Sequence, residues 1–131
     1  MVPSWATVGG MTSPGDLGRA GEQAAVSYLV AEGYEVLARN WRCRAGELDI
    51  IARLGPTVVF CEVKTRSGLG FGSPLASVTA VKAARIRRLA LTWLQQQRDS
   101  GASGWPELRF DVIGVLRDQH GLSVEHVPRA F

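Results

Sequence analysis

An α/β domain with element order αβββαββ is the fold class this chain predicts, and three observations predict it. Apolar residues recur at helical spacing over one early and one late stretch, three strand-like runs lie between those stretches, and two more runs follow the second. The size agrees with one domain. With 131 residues, 46% of them hydrophobic and 21% charged, the chain can bury roughly two thirds of its unfolded surface around a single core.

Residues 1–15 mix Gly, Pro, Ser and Thr without periodicity and read as a flexible lead-in to a domain spanning 16–131. Asp16 is placed to cap a helix whose apolar stripe is Leu17, Ala20, Ala24, Tyr28 and Leu29 and whose stop is Gly33. Strands are predicted over 34–39, 47–53 and 57–64. Leu54, Gly55 and Pro56 separate the last two, which makes them an antiparallel hairpin. The stretch SGLGFGSP, residues 67–74, fits neither a P-loop nor a dinucleotide fingerprint and reads as a mobile surface loop. A long helix over 77–98 is expected to bury Val78, Val81, Ile86, Leu89, Ala90, Trp93 and Leu94. The linker DSGASGWPE then leads to strands over 108–116 and 122–127.

Several function classes drop out. No apolar run approaches the ~18 to 20 residues that span a membrane, and MVPSWATVGGMTSPG lacks the basic start and apolar centre of a signal peptide. A cytoplasmic protein with no membrane partner is the expectation. Cys43 and Cys61 match no CxxC or Cys/His spacing, so they are expected as reduced thiols. A net charge of +3 permits a nucleic-acid partner without requiring one.

The informative strand is VVFCEVKTR, residues 58–66, where an acid and a base interrupt a run suited to burial. Alternation puts Phe60, Glu62 and Lys64 on one face and Val59, Cys61 and Val63 on the other. For an isolated ExK the ordinary explanation is a solvated ladder. The preceding strand, in GELDIIAR, supplies a second acid, with Leu48 and Ile50 predicted on one face and Glu47, Asp49 and Ile51 on the other. A hairpin turning at Gly55 and Pro56 brings Asp49 close to Glu62, so two carboxylates and one ammonium converge. Burying such charges unpaired is costly. A partly buried cluster therefore implies a compensating ligand, most simply a divalent cation, and hard oxygen donors select Mg²⁺ or Mn²⁺.

Asp49 followed by Glu62, Val63 and Lys64 resembles the PD-(D/E)xK nuclease signature. The frame GRAGEQAA…YL…GY…RNWR…GELDIIA…VVFCEVKTR…FG…K…RFDVI resembles the YraN-like family, small bacterial proteins similar to archaeal Holliday junction resolvases. The likeness runs from Gly18 to about Val115. Gly46, Glu47 and Leu48 stand before Asp49 where the motif's name would put a proline, which agrees with the family's GE(I/L)D form. The resemblance implies a restriction-endonuclease-like fold, a central mixed sheet flanked by helices. It also implies a Mg²⁺-dependent endonuclease acting on structured DNA, branched DNA included. By the same likeness Asp49 and Glu62 match the metal-binding acids, and the carbonyl of Val63 completes the coordination. Lys64 matches the lysine that orients or helps deprotonate the attacking water and stabilises charge on the phosphate. Glu22 matches an acid of the first helix that binds metal directly or through water, although by itself it reads as a solvated helix residue. Glu47 is an accessory acid. Related resolvases act as dimers because two strands are cut, so a homodimer is expected by analogy.

The basic residues form two groups. Arg39, Arg42 and Arg44 surround Trp41 in ARNWRCRAG, an arrangement suited to phosphate contacts with the indole stacked on a base or sugar; a half-buried packing role for Trp41 is equally open. Lys82, Arg85 and Arg88 recur at i, i+3 and i+6 as a cationic stripe, which a solvated helix face explains as well. Arg66, where strand meets loop, is a further phosphate candidate. The candidate nucleic-acid contacts are thus Arg42, Arg44, Arg66, Lys82 and Arg85. Arg109 and Asp111 in RFDVI are assigned to pairing or to bracing the sheet. The competing function class is a non-catalytic nucleic-acid-binding module that keeps the fold and the basic surface. A purely structural interaction protein explains neither the acidic cluster nor the arginines.

Overall fold

The computed structural model describes residues 14–68 and 74–131. Its elements follow the predicted order: α1 (Pro14–Ala31), β1 (Glu35–Cys43), β2 (Gly46–Leu54), β3 (Thr57–Ser67), a 3-10 turn (Pro74–Ser77), α2 (Ala80–Asp99), β4 (Glu107–Asp118) and β5 (Gly121–Val127). All five strands form one sheet in the order β1-β2-β3-β4-β5. Neighbours are antiparallel except β3 and β4, which run parallel and are connected through α2. This mixed sheet flanked by helices is the arrangement of the restriction-endonuclease-like fold. Among the described residues no helix is long and apolar enough to cross a membrane.

Each face of the sheet carries its own apolar cluster. On one face Ala24, Ala25 and Leu29 of α1 pack on Ile50, Ala52, Val59, Cys61, Ile113 and Val115. On the other, Ile86, Leu89, Ala90, Trp93 and Leu94 of α2 pack on Leu48, Ile51, Val58 and Phe60. The Phe60 and Trp93 rings meet edge to face with centroids 5.9 Å apart. Period two sorts β3 as expected: Val59 and Cys61 face α1, while Val58 and Phe60 face α2.

Where boundaries differ from the sequence reading, partner strands set them. β1 continues to Cys43 because its ladder with β2 runs on to Cys43↔Gly46. β3 continues to Ser67 because β4 stays paired beside it as far as Arg117. The hairpin closes as predicted, with Leu54 opposite Thr57. Its first turn residue, Gly55, takes φ +58°, which a II′ turn requires and a side chain resists. α1 begins at Pro14, and Asp16 stands in its first turn rather than at the cap. There its carboxylate suits the positive end of the helix dipole. The expected lead-in falls largely on residues 1–13, and most of the expected glycine-rich loop on 69–73, both outside the described residues.

The predicted buried face of the second helix needs correcting at its start. α2 begins at Ala80, after its cap Thr79, so Val78 lies ahead of the helix. Val81 is 80% exposed. The buried set is Ala83, Ile86, Leu89, Ala90, Trp93 and Leu94, and Val81, two residues before Ala83, points about 200° around the helix from it.

Arg109 and Asp111 brace the sheet, as assigned. Asp111 is fully buried. It accepts bonds from Arg109 Nε at 2.9 Å and Nη2 at 2.8 Å, from the Arg129 N–H at 3.1 Å, and pairs with His126 Nε2 at 2.6 Å. Tyr34 accepts from Arg109 at 2.6 Å, and the Tyr28 hydroxyl meets His126 Nδ1 at 2.9 Å. One carboxylate thus ties β4, β5, the end of α1 and the C-terminal residues together.

Candidate functional site

The site lies where β2 and β3 stop pairing. Their ladder runs from Leu54↔Thr57 to Ile50↔Cys61 and ends there, one step before Asp49 and Glu62 would stand opposite each other. On the other side of β2, the residue facing Asp49 in the β1 register is Asn40, which takes φ +50° between the Arg39↔Ile50 and Trp41↔Leu48 pairs. Asparagine tolerates this left-handed conformation better than most residues. The predicted alternation of β2 breaks at this point. Leu48 and Ile50 were expected on one face, yet Leu48 packs under α2 and Ile50 under α1. Asp49, between them, turns its carboxylate toward β3, where Oδ2 accepts a 2.8 Å bond from the Val63 N–H.

An open cleft of about 240 Å³ forms there, lined by Gly18, Glu22, Asp49, Val63, Lys64 and Thr65. α1 comes close enough to furnish its wall because residue 21 is glycine: a Cβ at that position would stand 2.0 Å from Thr65 Oγ1. Only a residue without a side chain allows this approach. The next residue, Glu22, then sits beside the cleft. Its Oε1 is buried without a hydrogen-bond partner and lies 4.0 Å from Arg39 Nη2. Arg39 is anchored by Gln23 Oε1 at 3.1 Å.

The electrostatics concentrate on Asp49. Burial first, then the neighbouring Glu62 carboxylate, push it up to about 7 from an ordinary 3.8; the Val63 N–H opposes the rise, while a hydrogen bond with Glu62 and the charge of Glu22 add to it. Glu62 meets a cation, and it is Lys82, whose Nζ lies 2.6 Å from Oε1. The three acids do not stand as a ready-made cage: among the described residues no three Asp, Glu, His or Cys side chains are grouped closely enough to hold a metal.

The predicted site residues therefore separate. Asp49, Val63, Lys64 and Glu22 come together on the cleft wall, with Glu62 beside Asp49. Lys82 is drawn onto Glu62 rather than standing on the open helix surface with Arg85, which is exposed. Arg42 pairs with Glu47 at 2.8 Å on the surface, leaving 74% of its side chain exposed. Arg44 is exposed in the turn between β1 and β2; the next strand starts at Gly46, where a Cβ would contact Leu89 of α2 at 3.4 Å. Arg66 is half-buried near the end of β3, paired in register with Leu116. Trp41 packs against the α2-side cluster, so its packing role is the one the structure bears out. Cys61 is buried, and its thiol is pushed well above its ordinary value by that burial, which leaves it unreactive. Sequence reasoning missed Gly18, Gly21 and Thr65. The signal for the helix pair was two glycines one turn apart in GRAG, a spacing that clears one helix face for a close neighbour.

A mixed five-stranded sheet between two helices, with an acidic cleft where two antiparallel strands part, defines an α/β protein of restriction-endonuclease-like architecture. The chain belongs to the UPF0102, or YraN-like, family: the model of "Uncharacterised protein family UPF0102" matches residues 21–115. It is 52% identical over 122 residues to the UPF0102 protein of Acidothermus cellulolyticus, covering 88% of this chain and 92% of the relative. It is 54% identical over 116 residues to a UPF0102 protein of Parafrankia sp., covering 88% and 95%. The UPF0102 protein of Geobacter metallireducens is 47% identical over 115 residues, covering 88% and 91%.

Proposed function

We propose that this chain is a divalent-metal-dependent endonuclease that hydrolyses phosphodiester bonds in structured DNA, branched DNA included. The observation that carries the reading is Asp49, pushed up to about 7 on the wall of a cleft that it shares with Glu22, whose Oε1 is buried without a hydrogen-bond partner. Burial and the neighbouring Glu62 carboxylate leave the negative charge of Asp49 poorly compensated. The donors of the cluster are hard oxygens, which suit Mg²⁺ or Mn²⁺. Asp49, Glu62, Glu22 and the carbonyl of Val63 would hold the ion. When bound, such an ion lowers the pKa of a coordinated water from ~15.7 toward neutrality and offsets the charge of the phosphodiester.

The remaining work falls to the chain. The Val63 N–H fixes Asp49 Oδ2 in one orientation. Lys64, on the same wall, orients the attacking water and stabilises charge developing on the phosphate. Arg44 and Arg85, both exposed, supply phosphate contacts, with Arg42 and Arg66 as further ones. Cutting two strands of a junction calls for two copies, so a homodimer belongs to this reading.

A non-catalytic nucleic-acid-binding module is favoured by one observation: Lys82 neutralises Glu62, and the three acids are not pre-grouped as a cage. One experiment separates the two. Calorimetric Mn²⁺ titration is run beside cleavage assays on duplex, flap and four-way-junction DNA, with wild type and Glu62→Gln. The nuclease reading expects wild type to bind Mn²⁺ and cut, and Glu62→Gln to lose metal affinity while DNA affinity stays equal or rises. Wild-type protein that binds DNA but no Mn²⁺, with or without DNA present, leaves the binding module standing.

A further inference from the structure

Lys82 occupies a position that its own helix does not favour. It is the third residue of α2, whose first turn contains no acid. A cation there faces the positive end of the helix dipole, where a carboxylate is the stabilising choice. The backbone that carries it is nevertheless held firmly, because Thr79 caps the helix by accepting the Lys82 N–H at 3.1 Å. From that fixed base the side chain reaches β3 and sets Nζ 2.6 Å from Glu62 Oε1, with only 28% of the lysine side chain and 13% of the glutamate exposed. The compensating charge comes from another element, and it is one of the acids proposed to hold a metal.

We propose that Lys82 is a metal-responsive latch: its ammonium occupies Glu62 until a divalent cation takes that carboxylate, and the released ammonium then becomes a phosphate contact. The proposal rests on the metal-dependent reading above. Electrostatics supplies the exchange. A divalent ion on Glu62 would bring two like-signed centres into near contact in a half-buried site, where water screens them poorly. The ammonium must move, and the anion that best receives it is a phosphate of DNA bound beside the cleft. Metal and DNA binding are therefore coupled through one side chain, and each strengthens the other by the same factor. The ion pair holds Glu62 while that carboxylate also hydrogen-bonds Asp49, so the acid a cation would need stands beside its partner acid but is occupied by the ammonium.

The test is Mn²⁺ binding, read by calorimetry on the full chain without DNA, for wild type, Lys82→Gln, Lys82→Arg and Arg98→Gln. Lys82→Gln removes the competitor, so Mn²⁺ should bind roughly fivefold to tenfold more tightly than to wild type. Lys82→Arg keeps the charge and should not show that gain. Arg98→Gln makes the same change in net charge at the last turn of α2 and should leave the affinity at the wild-type value. Equal or weaker binding by Lys82→Gln overturns the latch while leaving the metal site intact. Equal tightening by Arg98→Gln overturns it too, since net charge alone would then suffice. Failure of Lys82→Gln to fold, if saturating Mn²⁺ does not reverse it, makes the pair a permanent clamp and also overturns the proposal. No Mn²⁺ binding by any of the four proteins overturns the latch and the metal-dependent reading together.

Discussion

An aspartate pushed up to about 7 makes folding sensitive to pH in a direction opposite to that of most acids. Burial and the Glu62 carboxylate raise Asp49, so the folded chain holds that proton more tightly than the unfolded chain does. Its contribution to stability is full below the unfolded value near 3.8 and is lost as pH rises through about 7. Asp49→Asn removes this titration. Urea unfolding at pH 5 and pH 8 should therefore show the variant gaining on wild type as pH rises; a difference that does not change with pH would mean that Asp49 titrates like an ordinary surface acid. Lys64 tests a different property. It lines the cleft without pairing to the acids as Lys82 does, so Lys64→Ala should leave Mn²⁺ binding in place while turnover on junction DNA falls by about 10² to 10⁴. A loss of Mn²⁺ affinity in that variant would place Lys64 in the binding step instead.

At the scale of elements, the site depends on how closely α1 rides over β3. Gly18 and Gly21 are one turn apart on that helix, yet they differ in what they face. A Cβ at Gly21 meets the Thr65 side chain at 2.0 to 2.8 Å, whereas one at Gly18 meets nothing within 4 Å. Gly21→Ala should therefore destabilise by about 1–3 kcal/mol through overpacking and displace Glu22 from the cleft. Gly18→Ala should be neutral or stabilising by up to about 1 kcal/mol, because alanine favours the helix. Chemical denaturation of both variants checks the pair; similar effects from the two would contradict the close approach. The brace around Asp111 is the other element-level tie. Removing its carboxylate in Asp111→Ala leaves the mostly buried Arg109 guanidinium without its partner, and the expected cost is about 3–5 kcal/mol.

Over the whole molecule, the basic residues are not equivalent even though the net charge is only +3. Lys82 is engaged with Glu62, and Arg42 is paired with Glu47 in an exposed bridge of the kind that contributes little. Arg44 is exposed in the turn between β1 and β2, and Arg85 is exposed on α2. If they contact phosphates, log K for duplex DNA should fall with log salt, and each charge removed should reduce the slope by about 0.9. Filter binding across a salt series with Arg44→Gln and Arg85→Gln checks this. A slope unchanged by both substitutions would move the DNA footprint elsewhere.

Much of this protein is written locally. Period-two and helical spacing determine the seven elements and their order, because each apolar stripe needs only its own stretch of chain to be read. The hairpin at Gly55 and Pro56 is equally local, and it places Asp49 near Glu62 before any fold is known. Tertiary structure decided what those residues meet. The β2 alternation fails at Asp49, where the ladder to β3 ends and the facing β1 residue, Asn40, takes φ +50°. Val81 is exposed because the face of α2 that docks on the sheet is the one carrying Ala83, Ile86, Leu89, Ala90, Trp93 and Leu94, and Val81 points about 200° around the helix from Ala83. Lys82 reads from sequence as part of a solvated stripe, yet docking of α2 on the sheet brings its ammonium to Glu62. Periodicity reports which side of an element is apolar. It carries no information on which charged side chains two separate elements bring within 3 Å of each other, since that distance is set by packing across the whole core.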